Sequence, residues 1–398
     1  MQRVWFSVET QPDSATGHQG SSSAMRCLIV YVSVQLALLS GISWINGTAI
    51  DRRPAFGCPF ERTRRFRQSA SRCANEIHPE RQVVNKGGRS SRSICVVTDY
   101  GGFDFTTVAI ELANQLSIPV YSDVDRDSCP YTQALIVIPY HLEKISSYAI
   151  AIHDLCNDSK RCRNKRLKNK TKSQPFFVDF CPPINSRLGK RFEGHSGTDL
   201  LLKAVSPRDQ IVYDLTAGFG QDSVLMLHGG ASHVVMVERD PVVAALLFDA
   251  LRRVHLIASD GDPMDSHTQR AVDLSKRLTM EETSDAIHVA KAVVSDTSAQ
   301  RPDVCYVDPM FPARRKSAAV KKNMQILHGL LSSQANEQAA STNEQELNLL
   351  EAAWNLATRR VVVKRPINAD CVGGTLPNGL KPSYEIKGSI NRWDIYVK

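Results

Sequence analysis

The chain has 398 residues, of which 42% are hydrophobic and 23% charged, and its formal net charge is +8. This length suffices for one large core and one small one, with a tail left over. Ten scattered cysteines without a Cys-x-x-Cys pair argue against a disulfide framework and against a metal site. The positive charge is compatible with a polyanionic partner, although a basic targeting tail could produce the same total.

Residues 1 to 92 have the composition of a targeting presequence or disordered tail. The apolar run Leu28–Ile45 carries polar interruptions and suits a cleaved signal segment, and Asp51–Arg72 has the arginine-rich composition of an organellar transit peptide. The two together resemble the two-part plastid presequences of algae with secondary plastids. We therefore expect an organellar protein, with the plastid favoured over the mitochondrion; a membrane anchor on the mature protein is the alternative.

Residues 93 to 174 are predicted to form a small α/β lobe that caps or extends the main domain. Its basic run Lys160–Lys172 holds eight cations and no acidic residue, so we expect a solvated loop that serves either as a linker or as a phosphate-contacting arm. Apolar patterning in the lobe predicts strands at Ile94–Thr98, Val120–Tyr121 and Ala134–Ile138 and a helix at Phe105–Leu116.

The main domain, residues 175 to 398, is organised around a predicted βαβ unit. One strand runs into Asp214, a small-residue turn contains Gly218 and Gly220, and a second strand ends at Glu238. The glycines let the backbone approach a ligand, and Glu238 is placed to accept hydrogen bonds from ribose hydroxyls. A nucleotide-type ligand is therefore expected at the carboxyl ends of these strands.

Two ligands fit that unit, a dinucleotide and S-adenosylmethionine. Ser223 stands where the dinucleotide fingerprint requires its third glycine, whereas the spacing of Asp214, Gly218 and Gly220 is typical of class I methyltransferases. The alternative is an ordinary strand-turn-helix without a ligand.

The remaining segments favour an α/β, Rossmann-like class I methyltransferase sheet. Further strands are predicted at Pro175–Phe180, Ala286–Ala290, Val304–Asp308, Arg359–Pro366 and Trp393–Val397, helices at Asp199–Val205, Pro241–Arg253 and Leu347–Ala357, and a loop at Gln334–Glu346.

The strand that enters Asp308 is followed by Pro309-Met310-Phe311, which is similar to the motif of methyltransferases that modify exocyclic amino nitrogens. The Asp308 side chain and the Pro309 carbonyl can accept the amine N–H groups, and Phe311 offers a face on which a base can stack. The alternative is an Asp-Pro turn that only ends the strand.

Basic residues follow this motif and end a later strand, where they suit phosphates of a nucleic acid. We assign phosphate contacts to Lys316, Lys321, Lys322, Lys364 and Arg365.

Residues 94 to 398 resemble the bacterial RsmJ family of 16S ribosomal RNA guanine-N2 methyltransferases. The likeness is carried by the blocks Phe177–Phe180, Asp214–Asp222, Glu238–Leu247, Tyr306–Pro312, Lys316–Lys322, Arg359–Pro366 and Asp394–Tyr396.

This resemblance implies that S-adenosylmethionine is the cofactor and that small-subunit ribosomal RNA, or the assembled small subunit, is the partner. It implies cofactor contacts at Gln221, Asp222, Glu238, Arg239 and Asp308. The chain departs from the family at Gln221, where the family has arginine, and in two apparent insertions, Lys160–Lys172 and Gln334–Glu346.

A small polar pair is expected after the third strand of the sheet, and it falls at Ala290–Lys291 or Val293–Val294. Two rival functions stay open: methylation of DNA adenine or a protein amide, and a basic RNA-binding assembly factor that no longer binds the cofactor.

Overall fold

The computed structural model divides the chain into two compact units, residues 1–78 and 79–398. The structure describes residues 43–45, 48–50, 94–98, 100–102, 105–122, 131–142, 145–155, 174–193, 199–309, 326, 342–372 and 379–398. In the first unit, strand β1 (Ser43–Ile45) pairs antiparallel with β2 (Thr48–Ile50). The rest of the predicted presequence and the basic run Lys160–Lys172 lie outside the described residues.

The second unit contains a small four-stranded sheet with the strand order β4-β3-β5-β6. Its elements are β3 (Ile94–Thr98), helix α1 (Thr106–Leu116), β4 (Val120–Ser122), β5 (Gln133–Leu142) and β6 (Ile145–Asp154). The predicted helix and three strands are confirmed, and β6 is an additional antiparallel partner of β5. The strand predicted at Pro175–Phe180 is wrong, because this segment makes only an isolated bridge between Phe176 and Ile152.

A larger sheet of seven described strands carries the rest of the unit, in the order β12-β13-β11-β10-β7-β8-β9. Its strands are β7 (Ile211–Asp214), β8 (His233–Met236), β9 (Leu278–Met280), β10 (Val304–Val307), β11 (Arg360–Pro366), β12 (Tyr384–Lys387) and β13 (Asn391–Val397). The chain passes from β7 to β8 and β9 on one side and returns to β10 on the other. Strand order therefore reverses between the neighbouring strands β7 and β10. Ligands of open α/β sheets bind at the carboxyl ends of the two strands that flank such a reversal.

Seven further helices are described along this sheet. They are α2 (Arg187–Glu193), α3 (Leu200–Val205), α4 (Gln221–His228), α5 (Pro241–Asp260), α6 (Ser266–Arg277), α7 (Ala286–Ser295) and α8 (Thr342–Leu356). The Asp240 side chain caps α5 by accepting from the backbone N–H of Val242 at 2.8 Å, and Pro241 occupies the first turn, where its missing N–H is harmless. Helix α8 begins at Thr342, so part of the predicted loop at Gln334–Glu346 is helical.

The strand predicted at Ala286–Ala290 is a helix, and this prediction is wrong. The Asp285 carboxylate accepts from the backbone N–H of Ile287 at 2.9 Å, which is an N-cap. The buried positions Ala286, Val289, Ala290 and Val293 follow a helical spacing. The third parallel strand is β9 instead, so the residues that follow it are Glu281 and Glu282 and not the predicted pairs at 290–291 or 293–294.

A buried ionic cluster joins α5 to the small sheet. The Asp249 Oδ2 atom accepts from the Ile150 backbone N–H of β6 and from Arg253 Nε, both at 3.0 Å. Its other oxygen accepts from Arg252 at 2.8 Å, and Arg252 also donates to Ser147 Oγ at 3.0 Å. Asp249 and Arg253 have side chains that are 1% and 2% exposed, so they fasten the two sheets of this unit together.

The predicted fold class is confirmed: a Rossmann-like class I methyltransferase sheet, with β13 antiparallel to its neighbours, carries a small N-terminal α/β lobe. Among the described residues, no helix combines the length and the apolar character that crossing a bilayer requires.

Candidate active site

The turn after β7 has a backbone that only glycine accommodates comfortably. Gly218 and Gly220 have φ angles of 54° and 68°. A Cβ atom on Gly220 would also lie 2.8 Å from Cε1 of the Phe180 ring. Both the conformation and the close packing therefore require glycine at position 220, and helix α4 begins at the next residue.

Asp214 and Glu238, the carboxylates that end the two strands of the βαβ unit, hold this turn in place. Asp214 Oδ2 accepts from Ser223 Oγ at 2.5 Å. Glu238 Oε2 accepts from the Gly218 N–H at 2.9 Å, and its Oε1 accepts from the Asp240 N–H at 2.8 Å. Burial raises the pKa of each carboxyl to about 7. Each Glu238 oxygen has a second lone pair with which it can accept a ribose hydroxyl.

The turn at Asp308 lies directly beside the glycine turn. Strand β10 runs parallel to β7, with Tyr306 opposite Asp214. Beyond the paired residues, the Leu215 N–H donates to the Tyr306 carbonyl at 2.9 Å, and the Asp308 N–H donates to Thr216 Oγ1 at 2.6 Å. The juxtaposition expected between the two turns is therefore present.

Lys364, on β11, bridges two carboxylates at this junction. Its Nζ lies 2.7 Å from Asp308 Oδ2 and 3.0 Å from Asp222 Oδ2. Asp222, in the first turn of α4, also accepts from the Tyr306 hydroxyl at 2.9 Å and pairs with Arg191 of α2 at 3.1 Å. One ammonium thus ties the first turn of α4 to the end of β10.

Three charged groups in this cluster, Asp222, Asp308 and Lys364, have shifted pKa values. Burial opposes ionisation of Asp222, but Lys364 and Arg191 outweigh it and lower its pKa to about 2. Burial raises the pKa of Asp308 against the pull of Lys364, and the neighbouring Asp222 charge adds to the increase. The two carboxylates raise the pKa of Lys364, although burial alone would lower it. Lys364 is therefore a fixed cation between two acceptors.

Two of the predicted phosphate contacts occupy other roles in the structure. Lys364 is engaged with Asp222 and Asp308, as described above. Arg365 is only 7% exposed and donates to the Glu346 carboxylate at 2.7 Å and to the Asp370 carbonyl at 3.0 Å. Because buried, paired guanidinium groups cannot reach a phosphate without breaking these bonds, the structure argues against the contact predicted for Arg365.

Of the remaining predicted site residues, three lie within the described ranges and four lie outside them. Gln221 is the first residue of α4, Arg239 is exposed beyond β8, and Pro309 follows Asp308 at the edge of the site. Phe311, Lys316, Lys321 and Lys322 lie outside the described residues.

Three residues of the site were missed by sequence reasoning: Tyr306, Thr216 and Arg191. The period of two along β10 places Tyr306 on the same face as Asp308, a signal that was available in the sequence. Thr216 and Arg191 contact residues that are remote along the chain, and no local pattern marks them.

Within the described ranges, no cluster of three or more His, Cys, Asp or Glu side chains is arranged to hold a metal ion.

The donor set of the site fits S-adenosylmethionine. Asp222 is paired with both Lys364 and Arg191, whereas Asp308, among the described residues, is paired with Lys364 alone and keeps 36% of its side chain exposed, so its carboxylate can face a sulfonium cation. Glu238 supplies an acceptor for ribose hydroxyls at the end of β8, and the glycine turn admits a ligand close to the backbone.

Comparison with known proteins agrees with this chemistry. A family model described as "Putative SAM-dependent methyltransferase" matches residues 153–398. The ribosomal RNA small subunit methyltransferase J of Dechloromonas aromatica is 38% identical over 228 residues, which are 56% of this chain and 79% of that protein. Its namesake from Shewanella pealeana is 39% identical over 212 residues, 52% of this chain and 73% of that protein.

Among solved structures, a SAM-dependent methyltransferase from Neisseria gonorrhoeae is 22% identical with a TM-score of 0.46, and the match covers 76% of this chain and 95% of that one. On the strength of the family model and the sequence relatives, the chain belongs to the ribosomal RNA small subunit methyltransferase J family and is an S-adenosylmethionine-dependent methyltransferase.

Proposed function

We propose that this enzyme methylates the exocyclic N2 amine of a guanine in small-subunit ribosomal RNA. The observation that carries the proposal is the Asp308 carboxylate, which Lys364 holds beside the glycine turn while 36% of the side chain stays exposed. The names of the relatives support the RNA substrate. The resemblance of Asp308-Pro309-Met310-Phe311 to the motif of amino-methyltransferases supports the N2 amine as the acceptor.

The chemistry of the acceptor explains why a carboxylate is needed. Bound S-adenosylmethionine supplies a methyl group that its sulfonium already activates. The lone pair of a guanine amine is delocalised into the ring, so the amine is a poor nucleophile until acceptors draw on its N–H groups. The Asp308 carboxylate and the Pro309 carbonyl supply those acceptors, and positioning supplies most of the rate. Asp308 does not have to be a strong base, because the proton leaves after transfer, when the nitrogen is cationic.

Several cations beside the site support a polyanionic substrate, either free RNA or the assembled small subunit. Arg187 and Lys190 are exposed on α2, the helix whose Arg191 contacts Asp222. Arg187 and Arg191 are four residues apart, so Arg187 lies on the same face of α2 as the arginine that contacts Asp222. The predicted phosphate contacts Lys316, Lys321 and Lys322 directly follow the Asp308 motif in sequence, and Phe311 is the proposed stacking face.

The substrate is tested by mapping methylated nucleotides in small-subunit RNA. A knockout strain is expected to lose one N2-methylguanosine, and the purified full chain with S-adenosylmethionine should restore it on RNA or subunits from that strain. Mass spectrometry of nuclease fragments locates the nucleotide. An unchanged N2-methylguanosine profile in the knockout would refute the assignment, and incorporation into DNA or protein alone would favour another acceptor.

We propose further that the enzyme acts in an organelle, with the plastid favoured. The signal-like Leu28–Ile45 and the arginine-rich Asp51–Arg72 support this location. A fluorescent protein fused to residues 1–92 is expected to enter the organelle when imaged in cells. Fluorescence in the secreted medium or at the plasma membrane would contradict the proposal.

A further inference from the structure

We propose that Lys364 is a positioning residue for methyl transfer: by holding Oδ2 of Asp308, it keeps that carboxylate ionised and leaves Oδ1 to accept the target amine. The inference rests on the proposed function for the identity of the amine. It assigns to Lys364 a role within the site in place of the phosphate contact that the sequence suggested.

The geometry restricts what Lys364 can do. Its Nζ is shared between Asp308 Oδ2 at 2.7 Å and Asp222 Oδ2 at 3.0 Å, and its side chain is 21% exposed. An ammonium has three donors, so two of them are already used on carboxylates. A phosphate would have to compete with two carboxylates at ion-pair distance.

Asp308 depends on Lys364 more than Asp222 does. Asp222 also accepts from the Tyr306 hydroxyl at 2.9 Å and from Arg191 at 3.1 Å, and replacing Lys364 changes neither of these two residues. Within the described chain, no other cation lies within ion-pair distance of the Asp308 carboxylate, whose backbone N–H is separately held by Thr216. Loss of the ammonium should therefore act mainly on the ionisation and orientation of Asp308.

The charged groups around Asp308 fix the direction of the effect. Asp222 opposes its ionisation, and both the Tyr306 hydroxyl and Arg191 are engaged with Asp222. Lys364 alone lowers the pKa of Asp308 at direct contact. Without it the carboxylate faces the Asp222 charge alone, so protonation becomes easier and the acceptor is lost at higher pH than in the wild type.

The test follows Asp308 itself by carbon NMR of the full chain labelled at aspartate, with the resonance assigned by its absence in Asp308→Asn. In Lys364→Met we expect Asp308 to titrate about 1 to 3 pH units higher than in the wild type. Lys364→Gln, which keeps a hydrogen-bond donor but no charge, should behave like Lys364→Met. Lys364→Arg should keep the wild-type titration, because the charge is retained.

Methyl transfer to small-subunit RNA supplies the second readout. In Lys364→Met the acid limb of the kcat profile should move to higher pH by the same amount, so that kcat falls most on the acid side, with a smaller change in KM for S-adenosylmethionine. Lys387→Met, on an exposed lysine of β12, is the matched control and should leave both readouts unchanged.

An Asp308 titration that is the same in Lys364→Met and in the wild type would overturn the inference. The NMR readout needs no RNA, so this failure is distinct from failure of the proposed function, which would show as a wild-type enzyme that transfers no methyl group to RNA.

Discussion

Replacing Asp308 with alanine is expected to lower kcat for methyl transfer about a thousandfold, because the target amine loses its charged acceptor. The affinity for S-adenosylmethionine should fall far less, since the glycine turn, Glu238 and Asp222 keep their own hydrogen bonds. The measurements are single-turnover transfer to small-subunit RNA and calorimetric titration with S-adenosylmethionine.

Two further variants make the result specific. Asp308→Asn keeps an acceptor oxygen without the charge and should retain more turnover than Asp308→Ala. Asp260→Ala, on an exposed residue that ends α5, should match the wild type. Turnover near the wild-type rate in Asp308→Ala would remove Asp308 from the mechanism.

Replacing Asp249 with alanine should lower the free energy of unfolding by about 3 to 5 kcal/mol, because it leaves the Arg253 guanidinium buried without its carboxylate. The change also removes the acceptor for the Ile150 N–H of β6. Urea unfolding of the full chain, followed by circular dichroism, measures the loss.

A surface pair provides the comparison for this experiment. Asp273 pairs with Arg277 at the same spacing of four residues on α6, but its side chain is 53% exposed. Asp273→Ala should therefore change the free energy of unfolding by no more than about 1 kcal/mol. Equal stabilities for Asp249→Ala and Asp273→Ala would show that the buried cluster does not fasten the two sheets.

Local sequence patterns were sufficient for the centre of the fold. The apolar runs into Asp214, Glu238 and Asp308 each predicted a strand in the correct order, and Gly218 and Gly220 marked the turn between the first strand and its helix. Each of these features is encoded within a few consecutive residues. Sequence reasoning therefore located both turns and, through the fold, their juxtaposition.

Prediction failed where a short apolar run fits both a helix and a strand. Four of the five residues of Ala286–Ala290 are apolar, and only the cap at Asp285 and the continuation to Ser295 identify the segment as helical. The true third strand, β9, is three residues long and lies within a polar stretch, so its period could not be recognised.

The role of Lys364 could not be predicted from the neighbouring sequence, for a different reason. Its partners Asp222 and Asp308 are 142 and 56 residues away in sequence, and only the pairing of β11 with β10 brings the three together. A lysine at the end of a strand looks like a surface cation until that register is known. The same holds for Arg365, whose partner Glu346 belongs to α8.

A crystal structure of the full chain with S-adenosylhomocysteine tests most directly whether the two turns form one site. We expect the thioether sulfur between the Gly218–Gly220 turn and the Asp308 carboxylate, with the ribose hydroxyls on Glu238. A ligand bound elsewhere on the sheet, or side chains packed into the space between Gly220 and Asp308, would contradict this account.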